Sequence, residues 1–189
     1  MIPALVIALL TATAPFYEAC RDLSGDVLRV HIVANSDSAA DQSLKLAVRD
    51  RITAECAELF DGCGSREEAI QAARAHLPQL QRLALDEVRR QGFDYSVKAE
   101  LVDMYFDTRY YDEFTMPAGR YKALRLRIGA GEGRNWWCVL SPARCIGAAC
   151  RETAREALSG GEYRVISSDR ADFRFKIVEW FEGFLDWLW

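Results

Sequence analysis

The sequence predicts an α+β fold: one strand, two long helices and an antiparallel β-meander, with a C-terminal aromatic strand/helix segment. Three observations carry this. Val27–Ala34 (VLRVHIVA) is an apolar, β-branched run with strand character. Between Ser38 and Gly92 the apolar residues recur at helical spacing. Beyond Gly92 the period drops to two and holds to Gly129.

The first stretch, Ile2–Phe16 (IPALVIALLTATAPF), carries no charge, and the first charged side chain is Glu18. It falls short of the roughly 20 residues that a bilayer-spanning helix needs. It reads as the apolar region of an export signal, with Ala12-Thr13-Ala14 resembling a cleavage site and Pro15 just after it. Residues 1–20 are therefore assigned to an export signal or a membrane anchor, the alternative being a buried N-terminal helix of a soluble protein. Tyr17-Glu18-Ala19, which precedes Cys20, lacks the small and aliphatic residues of a lipidation site.

Val27–Ala34 suits a strand buried on both faces. Asn35-Ser36-Asp37-Ser38 breaks it, and Ser38 with Asp41 approximates a capping box. Leu44, Val48, Ile52, Cys56 and Leu59 then form the stripe of a helix reaching about Phe60, which Gly62 and Gly64 end. Ser65-Arg66-Glu67-Glu68 caps a second helix with the stripe Ile70, Ala73, Leu77, Leu80, Ala84 and Val88. Pro78 inside it predicts a kink or two abutting helices, because the ring removes a donor and crowds the preceding turn.

Tyr95, Val97, Ala99 and Leu101 alternate with polar residues, the pattern of a half-buried strand. Turn signals at Asp107-Thr108 and Met116-Pro117-Ala118-Gly119 bracket a second strand near Arg109–Thr115, and Tyr121–Gly129 is a third. A glycine-rich turn, Gly129–Asn135, leads into an aromatic strand, Trp136–Leu140. Residues 21–145 thus form the main domain. Residues 146–171, with Gly160-Gly161, are a weakly ordered linker, and 172–189 (alternating, then helical) are the C-terminal aromatic segment.

The chain has 189 residues, is 50% hydrophobic and 28% charged, and has a formal net charge of −4. That excludes a disordered chain and a multi-span membrane protein, and argues against a nucleic-acid binder built on phosphate contacts. Six cysteines are present. Their spacing matches no zinc motif and only two histidines could complement them, so no metal is expected. Cys138 and Cys145, flanking Pro142, are a disulfide candidate in an exported chain, whereas Cys56 reads as core.

The catalytic patterns are weak. His31 lies near Ser36 and Asp37, but no G-x-S-x-G elbow accompanies the serine, and a strand histidine is usually a core residue. Cys138 with His31 would make a thiol hydrolase only if the fold joined them. Gly129, Gly131 and Gly133 form G-x-G-x-G without the strand-to-helix context of a dinucleotide site. Neither a cofactor nor a small-molecule substrate is expected. Trp136-Trp137 is more informative: neighbours in a strand point to opposite faces, so either one indole packs inward and the other meets a partner, a membrane or the C-terminal helix, or neighbouring elements bury both.

HIVANSDSAADQSLKLAVRD, MPAGRYKALRLRIG, GEGRNWWCVL and FRFKIVEW together resemble the stage II sporulation protein R family. The resemblance runs from about Leu28 to Trp180, omits 146–171, and departs where SPARCIG follows the WWCVL run. It implies a signalling protein of endospore formation, made in the forespore and secreted into the space between two membranes. There it would activate the membrane-embedded aspartic protease that processes the precursor of sigma factor E, with no catalytic residues of its own. The expected partner is that protease, with a membrane surface as a second contact. The expected contact residues are Asn35, Ser36, Asp37, Trp136 and Trp137. The rival readings are a secreted Cys/His or Ser/His hydrolase and an envelope-associated structural protein.

Overall fold

The computed structural model describes residues 2–111, 114–141, 144–146, 163, 165–167 and 173–188, with side chains left out at 2–12, 141 and 144–146. The predicted 146–171 linker lies almost wholly outside the described residues. In chain order the elements are α1 (Ile2–Asp26), β1 (Leu28–Val33), α2 (Ala39–Leu59), α3 (Arg66–Arg90), β2 (Val97–Phe106), β3 (Arg109–Tyr110), β4 (Thr115–Met116), β5 (Gly119–Ile128), β6 (Asn135–Ser141), β7 (Arg144–Ile146) and α4 (Phe173–Leu188). The α+β class is as predicted.

The chain divides into two compact units. One comprises Val27–Asp103 and Lys122–Gly147. Its sheet runs β2-β5-β1-β6-β7, with β1 in the middle. β1 pairs in parallel with β5 and antiparallel with β6, so that Val30 lies between Leu124 and Cys138. The sheet is therefore mixed, because the earliest strand inserts between two later ones. Alternation alone specifies which face a residue takes and not which strand it pairs with.

Local chemistry sets the helices. The Ser38 hydroxyl accepts from the Asp41 amide and caps α2, and the Ser65 hydroxyl does the same for the Glu68 amide of α3. Leu44, Val48, Ile52 and Cys56 of α2 and Ile70, Ala73, Leu80, Ala84 and Val88 of α3 bury against Leu28, Val30, Ile32, Leu124, Leu126 and Leu140. Each fully buried aliphatic chain contributes on the order of 1.5–3 kcal/mol, which fixes this helical layer on one face of the sheet. α3 is one helix through Pro78 and not two. Ala73 and Leu80, on either side of the proline, bury in the same cluster and hold the helix together across the hydrogen bond that Pro78 cannot donate.

The other unit comprises Met1–Asp26, Met104–Tyr121 and Ala148–Trp189. Phe16 and Cys20 of α1 bury with Val165 and with Phe175 and Val178 of α4. Phe16 meets Phe175 edge-on at 5.1 Å and Tyr17 meets Phe181 at 5.4 Å. The strand predicted near Arg109–Thr115 is instead the two-stranded ribbon β3-β4, separate from the main sheet. Next to the ribbon the Tyr111 amide donates to the Phe114 carbonyl at 2.8 Å, and their rings stack at 4.6 Å.

Candidate functional site

The sheet order dictates an unusual loop. β5 and β6 lie on opposite sides of β1, so the segment joining them crosses over the C-terminal end of β1, where the Asn35–Ser38 turn emerges. The two segments are tied together by their backbones. The Gly133 amide donates to the Ala34 carbonyl at 3.0 Å and the Glu132 amide to the Asn35 carbonyl at 3.2 Å.

Side chains tighten the crossing. Asn35 Oδ1 accepts from the Ala130 amide at 3.0 Å, and Asp37 Oδ1 accepts from the Arg134 amide at 2.6 Å. Lys45, buried on α2, donates to the Arg134 carbonyl at 2.9 Å and to Gln42 Oε1 at 2.6 Å. Gln42 in turn donates to the Ser36 carbonyl at 2.9 Å. The glycines now have a reason. Gly129 takes φ +56, and a Cβ there would run into the Asn35 amide; a Cβ on Gly133 would run into the Ser36 carbonyl.

Asp41 sits at the centre of this knot. Its carboxylate accepts from the Ser36 hydroxyl at 2.5 Å and from Asn35 Nδ2 at 2.9 Å. These two bonds, with help from Tyr95 and Ser38, hold its pKa below the ordinary carboxylate value against the opposing effect of burial. Tyr95 moves the other way: burial and the Asp41 carboxylate both raise its phenol. Burial, followed by the nearby Arg134 charge, lowers the pKa of Lys45.

The sequence-predicted residues divide into two groups. Asn35, Ser36 and Asp37 do come together, as the inner wall of the knot, and the Asp37 side chain stays 60% exposed. Its neighbour across the knot, Arg134, has a 75% exposed side chain and approaches Asp37 at 3.5 Å. Trp136 and Trp137 take opposite faces of β6, as alternation predicts. Trp136 packs on the helical layer with the Arg49 guanidinium 5.6 Å above its ring, and Trp137 stacks on His31 at 3.8 Å. Both indoles are half-buried.

Neither hydrolase pairing is assembled. Ser36 Oγ engages Asp41 and the Ser38 amide, whereas His31 lies against Trp137. Cys138 is buried with Val30 in the helix-facing cluster, and His31, the next residue of β1, faces the other side of the sheet. In the register of β6 and β7, Cys145 stands opposite Leu140. Among the described residues no group of three or more His, Cys, Asp or Glu is placed to hold a metal ion. Sequence reasoning does not join the glycine crossing, Asp41, Lys45 and Glu132 into one site; the G-x-G-x-G run is the signal for the close approach.

The family model described as stage II sporulation protein R matches residues 24–150, which span the knot, the helical layer and the whole main sheet. The chain belongs to that family. A curated relative, "Stage II sporulation protein R" of Bacillus subtilis (strain 168), is 31% identical over 176 residues, covering 81% of this chain and 79% of that protein. No solved structure matches. The family name denotes a protein of a sporulation stage and names no reaction. The stage II sporulation protein R match contains the knot and ends before α4.

Proposed function

We propose that this protein is a secreted signal of endospore formation that activates the membrane-embedded aspartic protease processing pro-sigma-E. On this reading it acts by recognition, and the knot at the end of β1 is its contact surface. The observation that carries the reading is the pre-organised crossing: two loops about 95 residues apart in sequence are cross-tied by side chain and backbone. A surface fixed before encounter avoids the ordering cost that a flexible loop incurs on binding.

The tips of the knot are charged and open. Asp37, Glu132 and Arg134 are exposed, while the groups that hold them, Asp41 and Lys45, are buried. Such a surface activates a protease by binding its active arrangement more tightly than its inactive one. Moving a population from 1:99 to 99:1 takes roughly a 10⁴-fold difference in affinity. The export-like Ile2–Phe16 stretch supports delivery to the outer face of the membrane.

The test is precursor cleavage in cells co-expressing the protease, its sigma-factor precursor and this chain. Glu132→Ala with Arg134→Ala removes two exposed tips and spares the backbone bonds that both residues make. We expect precursor processing to fall at least about tenfold with an unchanged thermal unfolding midpoint, because interface charges govern encounter and register more than fold stability. Full processing by the stably folded double variant would remove the knot from the interface.

A further inference from the structure

The main sheet ends on β2, a strand of ten residues with β5 on its inner side. Its Val97–Asp103 part belongs to the main unit. The Gly129 amide, one residue past β5, donates to the Ser96 carbonyl at 2.8 Å. Arg125 pairs with Glu100 at 2.7 Å and Lys122 with Asp103 at 2.5 Å. Each step forward along β2 is thus matched by one step back along β5, so the two strands run antiparallel in unbroken register. In such a ladder the peptide groups of every second residue turn toward the neighbour and the others turn away. Ser96 turns inward, so Val97, Ala99, Leu101 and Asp103 turn their amides and carbonyls to the outer edge. The Ala99 amide obeys this: its acceptor is Gln81 Oε1 of α3, at 3.1 Å, and not a carbonyl of β5.

An open strand edge is a template for another strand. Folds blunt it with a short strand, a proline, a bulge, a charged lysine or a covering element. β2 is long, contains no proline and keeps one register from Ser96 to Asp103, and its Lys98 is neutralised by Glu100 at 2.7 Å. What remains is the cover, and Gln81 supplies it. The edge is also complementary to itself. When two copies of β2 run antiparallel about a two-fold axis at Ala99, Lys98 stands opposite Glu100 of the second copy on one face. On the other face Val97 stands opposite Leu101. The central bonds of that pairing run from each Ala99 amide to the other Ala99 carbonyl, and Gln81 already occupies that amide.

We propose that Gln81 is an autoinhibitory contact that keeps the β2 edge from pairing with a second copy of this chain. This guard is independent of the knot, and its test contains no protease. The full chain and its variants are compared by sedimentation velocity over one concentration series, with circular dichroism to establish folding. Gln81→Ala removes the acceptor at an exposed helix position and keeps helix propensity. It should strengthen self-association at least about tenfold over wild type. Gln81→Met, which keeps the side chain's length without the acceptor, should do the same. Gln81→Glu keeps an acceptor at the same reach and should match wild type. Adding Lys98→Glu to Gln81→Ala sets like charges opposite each other across the two copies and should reverse the gain.

Equal self-association of wild type and the folded Gln81→Ala and Gln81→Met variants would overturn the proposal. So would a gain that Gln81→Glu shares, because the acceptor would then not be the guard. A gain that Lys98→Glu leaves untouched would also overturn it, by placing the contact away from this edge.

Discussion

Gly133 lies where two backbones meet, its amide on the Ala34 carbonyl and its missing side chain facing the Ser36 carbonyl. Backbone cannot swing aside as a long side chain can, so Gly133→Ala should cost about 2–3 kcal/mol in urea unfolding at constant m-value. Asp41 poses the other residue-scale question. Its folded pKa lies below the ordinary value, so its contribution is complete above the unfolded pKa of about 3.9 and drains as pH falls through the folded value. Stability should therefore decline below about pH 4. Asp41→Ala should lose about 2–4 kcal/mol at pH 7 by leaving Ser36, Asn35 and Tyr95 without their acceptor, and should show a flatter acid limb when unfolding is followed against pH. Ser38 was legible as a cap because its partner is three residues away. Asp41 was not legible as a hub, since its meaning depends on Tyr95 and on a loop near residue 130.

Elements with a strong period were read nearly to the residue. Both long helices announce themselves through hydroxyl caps and apolar stripes, and the stripe residues are buried except Leu59 and Leu77, which are partly buried against the same cluster. Pairing was not readable, because a strand of period two fits any neighbour that presents the same face. β6 shows both outcomes. Its alternation placed Trp136 and Trp137 on opposite faces, yet the fold gives each a packing partner, Arg49 and the core for one and His31 for the other. Trp136→Ala should accordingly cost about 2–3 kcal/mol and Trp137→Ala about 1–3 kcal/mol in thermal unfolding, before any effect on recognition is counted. The ribbon β3-β4 looks like one strand in the sequence because no glycine or proline lies between Tyr110 and Thr115.

At the scale of the molecule, composition excluded classes and a set of short runs carried the family, while the working surface emerged only from topology. The topology also orders events in time. β1 appears near the start of the chain, yet its two neighbours, around Leu124 and Cys138, come roughly a hundred residues later. Loop closure of that span is entropically costly and high contact order slows folding. A polypeptide threaded N-terminus first through a translocation channel would thus emerge with its middle strand still lacking hydrogen-bonding neighbours. It would stay extended and passable until the last third had cleared the pore, and the sheet would close only on the far side.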